Sequence, residues 1–150
     1  MNRLIMTLAT GFYVGMIPKA PGTWGSLAAF LPWFFLKDLP LPAYLTAMFL
    51  IFIVGFFVSG SAEKILDRPD AGPIVIDEIL GMLITLTLAP PSPAAWILGF
   101  ILFRIFDIFK PFPVSWFDQK IHGGAGIMMD DVMAGLYALA SLQLLWLVIK

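Results

Sequence analysis

Asp77, Glu78, Asp107, Asp130 and Asp131 fall in three short stretches of a 150-residue chain that has only 10 acidic and 9 basic residues. Hard divalent cations take carboxylate oxygens. Magnesium uses one or two carboxylates together with water and substrate phosphate. Arg104 and Lys110 stand on either side of Asp107. Such groups suit phosphate oxygens, arginine through its two-pronged fork. A carboxylate-bound cation beside fixed positive charges meets the needs of phosphoryl chemistry: charge neutralisation, a polarised P–O bond and an activated water. Upstream, Lys19 precedes Gly22-Thr23-Trp24-Gly25-Ser26. That loop can offer backbone N–H groups and the Thr23 and Ser26 hydroxyls at a helix start, a natural anion site.

Each group also has an ordinary structural use. Ser and Thr favour helix starts as caps. Asp130 and Asp131 sit where the pattern starts a helix, and aspartates cap helices and favour the positive dipole end. Arg104, Asp107 and Lys110 share a helix face and make an ion-paired helix end. Asp77 and Glu78 are about 100° apart on a helix and cannot both face lipid cheaply, since a carboxylate at the bilayer centre costs ~2.5–3.5 kcal/mol. With no cysteine and one histidine, the chain has no thiolate site and no disulfide. His122, followed by glycines, reads as a solvated or hydrogen-bonding residue whose pKa range leaves proton transfer open.

The elements that position these groups are apolar. The chain is 60% hydrophobic and 13% charged, with mean hydropathy +0.93. Soluble domains run nearer half apolar and a quarter charged. A net charge of -1 gives no basic field for nucleic acid. The expectation is an all-α integral membrane bundle, one domain over residues 1–150, with about four to five membrane segments. Residues 4–17 are too short to span and read as a short or re-entrant helix. The stretch 27–36 is short and carries Pro32. Ala43–Gly60 is the clearest membrane segment, followed by a polar loop from Ser61 to Pro73. Two further apolar segments flank the turn Pro90-Pro91-Ser92-Pro93, and a last one ends the chain. Counting crossings puts the Lys19–Ser26 loop, Asp77-Glu78, Arg104–Lys110 and Asp130-Asp131 on one face. Most Lys and Arg lie there too, which makes that face cytoplasmic.

Four stretches resemble the phosphatidylglycerophosphatase A family: PKAPGTWGSL (18–27), IVIDEILG (74–81), FRIFDIFKPFP (103–113) and GGAGIMMDDVMAG (123–135). They come in the family's order. The resemblance implies a multi-pass enzyme of the bacterial inner membrane whose active site faces the cytoplasm. It implies magnesium-dependent removal of the terminal phosphate of phosphatidylglycerol phosphate, giving phosphatidylglycerol for phospholipid synthesis. By motif, Asp77, Glu78, Asp107, Asp130 and Asp131 form the metal and acid/base set. Arg104 and Lys110 contact phosphate, with Lys19, Thr23 and Ser26 as further substrate contacts. The expected reaction is direct attack by a cation-activated water, with a covalent aspartyl-phosphate as the alternative. Partners are the lipid substrate and the bilayer; the oligomeric state is left open.

Two rivals differ in kind. Another lipid headgroup enzyme would need either two catalytic histidines or aspartates spaced along one helix after a DG…AR start, and neither is present. A magnesium transporter would place acidic residues at mid-membrane depth or on both faces, whereas this sequence masses them on one.

Overall fold

The prolines mark where helices begin. Pro21, Pro42 and Pro93 occupy first-turn positions, where a missing N–H costs nothing. The structure, a computed structural model, describes residues 1–149. Over them the chain is helical, with no strand: α1 (Asn2–Ala9), α2 (Pro21–Ala28), α3 (Phe30–Leu36), α4 (Leu41–Leu66), α5 (Ile76–Thr85), α6 (Pro93–Phe109), α7 (Val114–Lys120) and α8 (Gly123–Ile149). A short 3-10 turn at Val14–Met16 follows α1. Residues 4–17 are thus a short helix and a tight turn. The α2–α3 break has a local cause: Pro32 has no N–H for the Ala28 carbonyl four residues back, and the helix interrupts at Ala29.

Of the expected membrane segments, α4 and α8 have the length and composition to cross. Their 26 and 27 residues reach about 40 Å at 1.5 Å per residue, against ~30 Å of hydrocarbon. Both turn apolar side chains outward, including Phe49, Phe57, Leu144 and Leu147. The ten residues of α5 reach only ~15 Å. Two expected boundaries move. The polar loop expected from Ser61 starts only at Asp67, because α4 runs on through Glu63 and Lys64 to Leu66. Asp130 and Asp131 do not start a helix: α8 already begins at Gly123. Gly123, Gly124 and Gly126 read as a loop, but Gly124 serves close packing, since a Cβ there would overlap the Phe56 carbonyl of α4.

Helix α8 is the hub, with α4, α5, α6 and α7 packed on it. Helix α5 lies buried between its neighbours, and the carbonyls at and just beyond its C-terminal end need partners that the helix itself does not all supply. In an apolar layer such groups cost several kcal/mol each if left bare. Three other elements reach them. Tyr44 donates to the Leu83 carbonyl at 2.6 Å, Trp33 to Leu86 at 3.2 Å and Gln143 to Leu88 at 3.1 Å. A short helix can therefore end inside the bundle with its carbonyls satisfied.

The closest α5–α8 approach sets up the site. A Cβ on Gly135 would stand 2.6 Å from the Gly81 carbonyl oxygen. Gly81 is one turn beyond Asp77, and Gly135 one turn beyond Asp131. The two backbones touch there, and the two aspartates one turn earlier come together. Gly135→Ala is expected to cost about 1–3 kcal/mol, the usual range for overpacking. Thermal melting in detergent checks this. An unchanged melting temperature would mean that α5 and α8 are not so close.

Candidate active site

Asp77 lies in the first turn of buried α5, and Asp131 two turns into α8. They are 8% and 3% exposed. Glu78 follows Asp77 on the neighbouring helical position. One oxygen from each of Asp77, Glu78 and Asp131 lies within 4.8 Å of the other two. Asp77 Oδ1, Glu78 Oε2 and Asp131 Oδ2 are cut off from solvent and have no hydrogen-bond partner among the described residues. Buried carboxylate oxygens without donors are costly. Burial raises the Asp77 carboxyl well above its usual range, and the charge of Glu78 adds to this. Burial and the nearby Asp131 charge push Glu78 up to about 8. A hard divalent cation would offset both effects, and three crowded oxygens with free lone pairs match its chemistry.

Two fixed cations lie near these carboxylates, Arg104 beside Gly22 and Glu78 and Lys110 on Asp130, the neighbour of Asp131. Arg104, near the end of α6, donates through Nη1 to Asp107 Oδ2 at 2.5 Å and to Ser26 Oγ at 3.4 Å. Its Nε is buried with no acceptor among the described residues. Ser26 itself donates to the Gly22 carbonyl at 2.7 Å. A Cβ on Gly22 would stand 2.5 Å from Glu78 Oε1 and 3.1 Å from Arg104 Nη1. Glycine therefore lets the α2 backbone close over the pair. Lys110 caps α6 with left-handed backbone, φ 44°. Its ammonium binds Asp118 of α7 and, at 2.8 Å, Asp130 Oδ2 of α8. Burial lowers the Lys110 pKa, but the Asp130 charge and the Asp118 hydrogen bond outweigh it and the net shift is upward.

The structure thus sorts the expected residues. Asp77, Glu78 and Asp131 form the cation-competent trio. Asp107 is tied to Arg104, and Asp130 to Lys110. Ser26 and Arg104 come together at the trio's edge. Thr23 is half-buried on α2, and Lys19 is exposed and in no ion pair among the described residues.

Beside Lys110 opens a cleft of about 330 Å³, lined by Glu63, Asp70, Asp118, His122 and Asp130 among others. Sequence reasoning left Glu63, Asp70 and Asp118 out of the site. The signal was present, since all three lie in polar stretches assigned to the same face. Glu63 Oε1 accepts the Asp70 backbone N–H at 2.7 Å. Burial raises the Asp70 carboxyl, opposed by the Lys110 charge.

Over the described residues the chain is all-helical, with apolar outer faces and a buried acidic centre edged by Arg104, the class of a helical membrane-associated enzyme. The chain belongs to the phosphatidylglycerophosphatase A family, whose pattern matches residues 7–146. Phosphatidylglycerophosphatase A of Escherichia coli is 43% identical over 130 residues, covering 86% of this chain and 76% of that protein. The protein of the same name from Haemophilus influenzae is 44% identical over 136 residues, covering 89% and 83%. A putative phosphatidylinositol-3-phosphatase of Bacteroides thetaiotaomicron is 41% identical over 143 residues, covering 90% and 89%. No solved structure matches the chain. Family membership makes the chain an enzyme, a phosphatase of the hydrolase class.

Proposed function

We propose that this chain removes the terminal phosphate of phosphatidylglycerol phosphate, leaving phosphatidylglycerol, with magnesium as its cation. The observation that carries this is the trio of unpartnered buried oxygens on Asp77, Glu78 and Asp131, set in a chain of this family. The two relatives named for phosphatidylglycerophosphatase match at 43% and 44% identity.

Asp77, Glu78 and Asp131 would hold the cation. Bound there, magnesium supplies charge neutralisation of phosphoryl oxygens and an acidified water. The other groups act directly. Arg104, steadied by Asp107 and Ser26, turns its free N–H groups to the equatorial phosphoryl oxygens. Lys110 brings a second positive charge, and both stabilise the charge that develops in transfer. Asp130 adjoins Asp131 and also lines the open cleft, so its carboxylate can take a proton from the attacking water as the P–O bond breaks, while the departing glycerol oxygen takes up a proton from solvent in the cleft. The Gly22–Ser26 backbone closes the site opposite Glu78.

In this reading the chain is one domain in the bacterial inner membrane. Helices α4 and α8 cross the bilayer, with α5 and α6 packed beside them and the charged end at the cytoplasmic face. The acyl chains stay in lipid while the phosphate reaches the interface. Phosphate release by purified protein in detergent tests this, with magnesium or chelator, on phosphatidylglycerol phosphate and phosphatidylinositol 3-phosphate. Chelator is expected to abolish release, and phosphatidylglycerol phosphate to be the faster substrate. Release that survives chelation would sink the cation. Faster release from the inositol lipid would sink the substrate.

A further inference from the structure

We propose that Asp118 is a positioning residue for the reaction, fixing the Lys110 ammonium where the phosphoryl group is handled. The inference deepens the proposed function and rests on Lys110 contacting phosphate. Lysine carries a compact charge on a flexible four-carbon stem. Left to itself, that stem does not hold a charge to within the fraction of an ångström that catalysis needs. Here the ammonium is gripped from two helices, by Asp118 on α7 and Asp130 on α8. Two of its three protons are thereby committed, and the third is free for a substrate oxygen. Glu63 and Asp70 also line the adjoining cleft, so an unpinned ammonium has other carboxylates to follow.

Asp118 is not needed to hold α7 in place. Val114 of α7 is fully buried, α7 packs along α8, and Tyr137 of α8 donates to the Phe112 carbonyl just before α7 at 2.9 Å. The Lys110 and Asp118 side chains are 27% and 33% exposed, and ion pairs so open to water add little to stability. An exposed pair that anchors no helix but fixes a charge beside the acidic centre has its effect in the reaction.

The test compares kcat, KM and thermal melting for phosphate release from phosphatidylglycerol phosphate in detergent. The variants are Asp118→Asn, Asp118→Glu, Lys110→Ala and the Asp118→Asn/Lys110→Ala double. Asp118→Asn is expected to lower kcat by up to about 100-fold, the scale of a misplaced catalytic group. KM and melting should hardly move. Asp118→Glu should recover part of the rate, because its carboxylate can still reach the ammonium. In the Lys110→Ala background, Asp118→Asn should add nothing, since residues acting through one another are not additive. An Asp118→Asn kcat equal to wild type, or a further loss in the double variant, would overturn the inference alone. Full activity in Lys110→Ala would overturn the reading of Lys110 and this inference with it.

Discussion

Asp131→Asn is expected to abolish most phosphate release while leaving the helices in place. Asp131 is 3% exposed, and its Oδ2 has no donor among the described residues. An oxygen in that state is either a structural defect or a ligand atom awaiting its cation. The two predict opposite results. If it is a ligand, the amide gives up a charge that the cation needs. Loss of an outer-shell partner alone costs about 10–100-fold in metal affinity or activity, so loss of a direct ligand should cost more. Stability without magnesium should hold or rise, since one of three crowded buried acidic groups is gone. Wild type should melt higher when magnesium is added, because a ligand of the folded state stabilises it. The variant should lose that increment. Phosphate release and melting with and without magnesium decide the matter. A variant with wild-type rate, or one that loses rate only because it no longer folds, would remove Asp131 from the cation set.

Crossing counts in the sequence lead one to expect these carboxylates on one face, but do not say which of them meet. Asp77 and Asp131 are far apart in the chain, and crossing counts place them only on the same side of a layer. What joins them is the small-residue contact of Gly81 with Gly135 one turn further on. The same spacing, aspartate followed by glycine four residues later, occurs in both IDEILG and DDVMAG. It is readable there, but only as a reason for closeness once the two helices are known to run side by side. The start of α8 was hidden by the same chemistry. Gly123, Gly124 and Gly126 suggest a loop by propensity, and close packing of Gly124 on Phe56 of α4 and of Gly126 on the Ile121 carbonyl accompanies a helix instead. The helical class and the long apolar segments follow from composition and length. The satisfied end of α5 does not, because its partners Trp33, Tyr44 and Gln143 come from three other helices.

Charge pairing was also only half legible. Arg104 and Asp107 are three residues apart, so their ion pair follows from helix geometry and is present. By spacing, Lys110 belongs to that same group. It instead leaves the helix at a left-handed cap and turns to α7 and α8. The helix stops there because Pro111 disfavours helical backbone at the residue before it. A change of one backbone conformation thus divides one run of charges between Asp107 on the same helix and the carboxylates of α7 and α8.

Arg104→Lys keeps the charge and is expected to lose about 10²-fold or more in kcat/KM, the scale set by removing one preorganised donor. The guanidinium does three things at once. Nη1 holds Asp107 at 2.5 Å and reaches Ser26 at 3.4 Å, and Nε is buried without an acceptor. A buried donor left unmatched costs about 1–3 kcal/mol, and an incoming phosphate oxygen would relieve it. An ammonium cannot do this. Its charge sits at one point, so it either stays with Asp107 or follows the phosphate, and it offers no planar fork for two oxygens. Gly22 lies so close that a Cβ there would be 3.1 Å from Nη1, so the surrounding backbone is shaped to a flat group. The loss should appear in kcat/KM for phosphatidylglycerol phosphate, with melting close to wild type. A lysine variant within about twofold of wild type would show that only net charge matters at this position. The α2 loop would then be a cap that packs on the site without shaping it. A full loss would tie Gly22, Ser26, Arg104 and Asp107 into one phosphate-binding unit built from α2 and α6.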